Sequence, residues 1–557
     1  QPHSATMPPM KWILGAIPLS LLTALAAQQP ATGMLTGRAE RRAAYRNEPV
    51  QQAVRAGLTW LVAHQAADGR FGCATFAELD PPGQECDGAG NPAYDVGTTA
   101  LALLALLAGA DPEHQDPARQ AADWLLSQLD RESGRFKGTA PDSIYEQVLA
   151  TLALIESHAI LGGGRYGPAA SAGLRYLDAH RNPGAAWRYQ PRDGENDASV
   201  TSWCIATYCA AVHAGLEASG ETVAEALVWF EAVTIPYTGY VGYSLRGESS
   251  SRMPEPHLTK FPIHFGTALV GPALHARSAA LWPPRDPLTT LGLAVLHAKP
   301  PTNEPKARDF YSWFHAATVV ADAARGPAQA WQKAAQTTLV RLQRKDGSYL
   351  GSWDPTGVWG SMGGRVCTTA FATLTLAAPW RQPADGLSHV LPDVVPFRAA
   401  HARWRAGQPG AAREALAELL AIDLTPEQRT IAERASWFAT VSVRASQLFA
   451  ANAAKHYPDA GERLLRTQQL VTAFGGDPAV ADLLKFRADL EATPGAKEAL
   501  AALRELEELL ATFDTSATPK EGAKRRALQA KFRKLLERHG KTPSAERIQW
   551  WMDHFGR

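Results

Sequence analysis

Gly57-x-x-Trp60-Leu61-x-x-x-Gln65-x-x-Asp68-Gly69-x-Phe71 decides the fold, because its grammar of helix, glutamine, glycine and aromatic returns several times along the chain. Trp124-Leu125, Gln128 and Gly134-x-Phe136 repeat it, as do Tyr176-Leu177, Gly184 and Trp187, where Arg181 replaces the glutamine. Trp229-Phe230 with Gly239-Tyr240 is a looser copy, and Leu339, Gln343 and Asp346-Gly347-x-Tyr349 make a late one. The closing aromatics fall roughly 50 to 65 residues apart, with one gap of about twice that, which is room for two helices and their loops per unit.

Between the copies lie Ala/Leu-rich runs introduced by a small or polar residue: Asp95 before Ala100 to Gly109, Ser143 before Tyr145 and Glu146, Asp197 before Trp203, and Gly266. An Asp, Ser or Thr ahead of an apolar run is an N-cap signature, since its oxygen satisfies backbone N–H groups left unpaired at a helix start. The runs are apolar nearly all round, so these helices are expected to be buried on more than one side. A ring satisfies that demand, with apolar helices inside and amphipathic helices wrapping them. Five or six such pairs precede residue 380, which predicts an all-α chain: an α/α toroid followed by a smaller helical domain.

The Gln65 to Phe71 repeat resembles the QW-type repeat of the squalene cyclase and protein prenyltransferase superfamily. Asp309-Phe310-Tyr311-Ser312-Trp313-Phe314-His315-Ala316-Ala317, Gly351-Ser352-Trp353-Asp354-Pro355 and Gly363-Gly364-Arg365-Val366-Cys367-Thr368-Thr369-Ala370 resemble the closing units of bacterial squalene-cyclase-like repeat proteins. The resemblance covers about residues 50 to 380 and implies the toroid. It does not bring a chemistry with it. The Asp-x-Asp-Asp acid motif of terpene cyclases, the Asp-x-Cys zinc pair of protein prenyltransferases and the Cys-Gly-Glu-Gln of thioester domains are all missing from the sequence. Fold alone does not transfer an activity.

With 557 residues the chain is long enough for two or more domains, and a net charge of +1 shows no excess that would suggest an obligate polyelectrolyte partner, so nucleic acid is not expected. Residues 1–27 read as an upstream extension and a signal peptide: Lys11 supplies positive charge, Trp12 to Leu25 the apolar stretch, and Ala24-Leu25-Ala26 a small-x-small cleavage site. Export to the periplasm or exterior follows, with a buried N-terminal helix as the competing reading. Residues 45–382 form the toroid, 383–396 a linker with paired prolines at Pro392 and Pro396, and 397–557 the C-terminal helical domain. Thr425-Pro426, Asp477-Pro478, Thr518-Pro519 and Thr542-Pro543 each put a capping residue before a proline at a helix start. His401, Trp404, Gly407, Ala411 and Ala415 weakly resemble the opening of a tetratricopeptide unit. The basic run from Lys520 to Lys541 reads as a solvated helix face, with acidic lipid or polymer binding as the alternative.

Cys73 and Cys86 lie in the Gly/Pro-rich first loop, and in an oxidising compartment a disulfide between them would close it. Free thiols are a second reading. Zinc held with His64, Asp80 or Asp87 is a third, although the spacing matches no metal framework, and no metal or cofactor is assigned. Cys204, Cys209 and Cys367 sit in apolar runs and read as small core residues.

In a toroid the loops entering the inner helices converge at one mouth. Asp95, Tyr145, Glu146, Asp197, Trp203, His264, Tyr311, Trp313, His315 and Arg365 are the cavity candidates. Each also has a plain role, Asp95 and Asp197 as N-caps, the tryptophans as packing, and Arg365 as partner to an acid. Aromatics mixed with a few carboxylates suit a lipid, isoprenoid or glycan. The favoured function is an exported, non-catalytic binding or scaffold protein with a ligand at the mouth and a protein partner on the C-terminal helices. The alternative is an enzyme, either a divergent isoprenoid cyclase or a glycan-cleaving α/α-barrel. A carboxylate pair facing across the mouth marks the glycan enzyme, and an aromatic pocket with one raised-pKa acid the cyclase.

Overall fold

The computed structural model describes residues 34–138, 142–250, 256–261, 268–322, 326–383, 385–512 and 522–555. The signal-peptide reading, His264, Gly266, Thr518, Pro519 and Lys520 lie outside the described residues. Among those described the protein is all-α, and its only strand-like pairings are the isolated bridges Leu129 to Phe136 and Thr234 to Val241.

The helices fall into two kinds. After a short α1 (Arg38–Ala44) come α2 (Glu48–Ala63), α3 (Asp95–Gly109), α4 (Gln115–Gln128), α5 (Ile144–Leu161), α6 (Tyr166–His180), α7 (Ala198–His213) and α8 (Gly220–Val233). These are followed by α9 (Val270–Ala279), α10 (Pro287–Ala298), α11 (Phe310–Asp322), α12 (Pro327–Leu342) and α13 (Gly360–Arg381). In α3 every residue after Asp95 is buried, and α5 and α7 are nearly as enclosed, whereas α2 and α4 bury one stripe each. Burial on all sides follows from apolar residues on all sides. Helix α3 packs on α5, α5 on α7, α7 on α9, α9 on α11, α11 on α13, and α13 returns to α3. Helix α2 contacts both α3 and α13, and α4 both α3 and α5. Pro92–Gly109 and Ile144–Leu161 are long and apolar enough to cross a membrane, but both windows are 78% buried within the protein.

The repeated turn explains how successive units join. Gln65 donates from Nε2 to the carbonyl of Gly69 in its own turn at 3.0 Å and to that of Pro117 at the start of α4 at 2.9 Å. Gln343 does the same with Gly351 (2.9 Å) and with Ala53 of α2 (2.8 Å), so the last turn is stitched to the first helix. The residue closing each turn donates its N–H to the following inner helix: Phe71 to Thr99 Oγ1, Phe136 to Gln147 Oε1, Trp187 to Thr201 Oγ1 and Trp353 to Thr369 Oγ1. This pattern corrects the register of two copies. The late copy closes on Gly351 and Trp353 rather than Gly347 and Tyr349, and the fourth on Val241 rather than Tyr240, because those residues carry the equivalent bonds and bridge.

The remaining helices are α14 (Gly386–Val390), α15 (Arg398–Arg405), α16 (Pro409–Leu420), α17 (Pro426–His456), α18 (Ala460–Ala473), α19 (Ala481–Glu491), α20 (Ala496–Leu510), α21 (Gly522–His539) and α22 (Ala545–His554). Thr425 and Gln428 form a capping box at the start of α17, as the Thr-Pro signal predicts. The segment read as a linker is partly buried, with Val390 and Leu391 fully enclosed in the same apolar core as the first thirteen helices. Helix α17 lies along α8, and Trp437 Nε1 donates to the carbonyl of Ala218 at 3.0 Å.

Candidate functional site

The N-terminal halves of α3, α5, α7, α11 and α13, with Leu269 just before α9, surround a cavity of about 290 Å³. Gly97, Thr98 and Leu101 come from α3, Tyr145, Glu146 and Leu149 from α5, Ser199 and Trp203 from α7, Tyr311 from α11, and Met362, Cys367 and Phe371 from α13. Tyr94, Tyr189, Tyr243 and Trp359 are added by the loops that enter these helices. The volume is at the small end of the ligand-pocket range, about 300 to 1,000 Å³. Trp203 forms the floor, stacked on Phe314 at 5.3 Å and edge-on to His315 at 4.7 Å. Below it lies a smaller void of about 60 Å³, closed by Glu156 between Arg38 (2.8 Å) and Arg381 (2.6 Å). Burial opposes the charge of Glu156, but the two guanidiniums outweigh it and hold its pKa below the ordinary value.

Of the sequence candidates, Tyr145, Glu146, Trp203 and Tyr311 line the cavity together. Tyr311 shares a hydrogen bond of 2.6 Å with Ser199 Oγ. Five candidates lie elsewhere. Asp95 is held by Arg70 (3.0 Å) and the N–H of Cys73 (2.7 Å) in the first loop. Asp197 is fully buried as the N-cap of α7, accepting from Val200 N at 2.8 Å, with Tyr243 standing between it and the cavity. Trp313 packs on Phe310, and His315 hydrogen-bonds His275 beneath the floor. Arg365 turns outward to Asp87 and Asp354 and stacks beneath Tyr349. For Asp197 and Arg365 the plain roles, cap and ion-pair partner, are the ones realised.

Glu146 is the chemically distinctive group. It is 2% exposed, and among the described residues neither carboxylate oxygen makes a hydrogen bond of normal geometry. Burial raises its pKa to about 8; the amides of Gly97 and Val96 pull the other way and Asp142 adds to the rise. Below that pH the side chain is a neutral carboxylic acid able to donate a hydrogen bond. Asp197 is pushed up to about 7, again by burial against the cap amide of Val200 and the charge of Arg188. His275 falls to about 3 by burial, and burial with His275 and Arg381 lowers His315 well below the ordinary value, so both rings are neutral.

Asp142, Tyr94, Tyr189, Tyr243, Trp359 and Phe371 line the cavity without having been candidates. Tyr189 and Tyr243 each lie two residues after the residue that closes a turn. Extended backbone alternates its side chains, so Trp187 and Val241 point into the core and Tyr189 and Tyr243 into the cavity. That alternation was a usable signal once the register was right. Cys367, read as a core residue, also lines the cavity, whereas Cys204 and Cys209 are buried as expected.

No disulfide joins Cys73 and Cys86; both are free thiols. The Cys73 sulfur is drawn inward to Thr98 Oγ1 at 2.8 Å, on α3. Two groups of potential metal ligands occur among the described residues, His64 with Asp80 and Cys86, and Asp111 with Glu113 and His114. The second is partly exposed, and its Asp111 is taken by Arg42. Comparison of the chain with models of known protein families and with curated protein sequences returned no match.

Proposed function

We propose that the cyclic helix packing is an α/α toroid of the squalene cyclase and prenyltransferase type. We further propose that the chain is an exported, non-catalytic binding protein for a mostly apolar, isoprenoid-like lipid held at the toroid mouth. In this reading residues 45–382 are the toroid and 397–557 a helical domain that recruits a protein partner. The observation that carries the reading is the cavity itself, enclosed by Trp203, Tyr311, Phe371, Leu101 and Leu149 with a neutral acid in its wall. Aromatic and aliphatic walls favour an apolar body, and the Glu146 carboxyl fixes one hydroxyl or carbonyl of the ligand.

A second reading, the cyclase, rests on the same acid in the same aromatic cavity. The raised acid is the feature that reading calls for, but the Asp-x-Asp-Asp neighbours that hold such an acid in terpene cyclases are missing from the sequence. A neutral carboxyl of that kind is suited to hydrogen bonding. The glycan-cleaving alternative requires carboxylates on opposite sides of the scissile bond. Asp142, the other carboxylate in the lining, is four residues from Glu146 on the same wall and is bound to Tyr94 at 2.9 Å.

Lipid extraction and mass spectrometry of the protein purified from its native envelope fraction tests the proposal. The wild type is expected to carry a lipid that Leu149→Trp, which fills the cavity, excludes. An empty wild type, or a lipid retained equally by the variant, removes the reading. Product formation from an added polyprenoid, abolished in Glu146→Gln, selects the cyclase instead.

A further inference from the structure

Away from the cavity, at the far end of α2, three side chains of different chemistry meet in the interior. We infer that His64, Asp80 and Cys86 form a zinc site that fixes the first loop, a role separate from ligand binding at the mouth. One ligand atom from each lies within 4.8 Å of the other two, and His64 and Cys86 are 4% and 5% exposed. None of the three lines the cavity.

The hydrogen bonds leave one donor atom of each residue for the ion. His64 Nδ1 lies 2.7 Å from the carbonyl of Trp60, so that nitrogen carries a proton and leaves Nε2 as the atom that would face an ion. A histidine that gives its second N–H to a backbone carbonyl is the usual outer arrangement of a metal-bound imidazole. Trp60 also stacks on the ring at 4.0 Å and holds its plane. Asp80 accepts from Cys86 N with Oδ2 at 2.7 Å and turns Oδ1 to His64 Nε2 at 2.9 Å. A proton between ring and carboxylate accounts for that last contact, and the buried Cys86 thiol turns its own proton to Asp80 beside it. A divalent ion takes the place of both protons and joins all three groups at one point.

Nitrogen, oxygen and sulfur together select zinc among common divalent ions. Bonds of about 2.0 to 2.3 Å in a tetrahedron put ligand atoms about 3.3 to 3.7 Å apart, so His64 and Asp80 would separate by about half an ångström on binding. Cys86 is a free thiol, with its proton turned to Asp80. Zinc displaces that proton, and the one between His64 Nε2 and Asp80 Oδ1, to solvent, and thiolate and carboxylate then neutralise the two charges of the ion. The fourth position is left for water. The consequence for function runs through the chain, because the site clamps the loop to α2 and the same loop carries Tyr94 to the cavity.

Titration of the reduced full-length protein with cobalt(II), a spectroscopic substitute for zinc, tests the assignment. One equivalent is expected to give a thiolate-to-cobalt charge-transfer band that zinc(II) displaces. Cys86→Ser should lose the band and weaken binding by about 100-fold or more, while Cys73→Ser keeps both. Should Cys86→Ser fail to fold, zinc protection of Cys86 from alkylation in the wild type, compared with His64→Gln, reads the same site. Absence of the band in wild type with free thiols overturns the inference. So do a band that follows Cys73, and a Cys73 to Cys86 crosslink in the native protein.

Discussion

Glu146 is where a single side chain has the clearest measurable consequence. In the unfolded chain its carboxyl titrates near 4.5, and in the folded protein burial delays ionisation to about 8. Below pH 4.5 both states hold the proton and the residue is neutral to stability. Between the two values the unfolded state releases the proton and the folded state keeps it, so stability falls as pH rises, and levels off above 8. Glu146→Gln removes this slope. Chemical denaturation at a series of pH values should find the variant close to wild type at pH 4 and more stable by about 1 to 4 kcal/mol at pH 9. A wild-type slope unchanged by the substitution would mean that the carboxyl is ionised throughout. The residue was legible in the sequence because it sits in the first turn of an apolar run. That neither of its oxygens makes a hydrogen bond of normal geometry among the described residues was not, since that depends on what α3 brings near it.

At the scale of the element, the turn glycines join one repeat to the next. Gly351 has φ +97, and a Cβ there would lie 2.2 Å from the carbonyl oxygen of Ala56 in α2. Gly69 meets the carbonyl of Gln120 in α4 in the same way, at 2.3 Å with φ +95. A side chain at either position must force two helices apart as well as occupy left-handed backbone. Gly184, with φ +65, has nothing within 4 Å of its Cβ position. Gly351→Ala is therefore expected to destabilise by about 3 kcal/mol or more and Gly184→Ala by about 1 kcal/mol, read from denaturant midpoints. Equal losses would show that only backbone conformation matters and that the seam between α12 and α2 contributes nothing. The glutamine and glycine of the repeat were readable as a pattern, but their partners, Pro117 and Ala53, belong to the neighbouring unit and lie far along the chain.

For the whole molecule, the decisive contact is between the C-terminal helices and the first thirteen. Arg466 of α18 is fully buried and reaches Glu231 at 2.7 Å and Asp286 at 2.6 Å, and Tyr457 adds a bond to Glu231 at 3.0 Å. Burial works against ionisation of Asp286, yet Arg466 outweighs it and brings the pKa to about 2. Removing Arg466 leaves Asp286 without an ion-pair partner and Glu231 with Arg277 alone at 3.2 Å, a loss of about 3 to 5 kcal/mol. Arg466→Ala should release the C-terminal helices, seen as rapid proteolysis between residues 383 and 396 that wild type resists. Resistance equal to wild type would place the docking energy in the apolar contact of α17 with α8 instead.

By itself the sequence determined the helices, the caps at Asp197, Thr425 and Asp477 though not those read at Asp95, Ser143 and Thr542, the contrast between enclosed and one-sided faces, and the recurrence of a turn that needs glycine. These are local properties, set by spacing along a few turns of backbone. Tertiary structure alone decided the register of the late turn, the return of α13 to α3, and the burial of Leu391 in a segment that reads as a linker. It also decided which first-turn residues face the cavity and which turn away, and it brought His64, Asp80 and Cys86 to one point. Each of these depends on the direction of a side chain after distant segments have packed, and that direction is fixed by the neighbours the fold supplies.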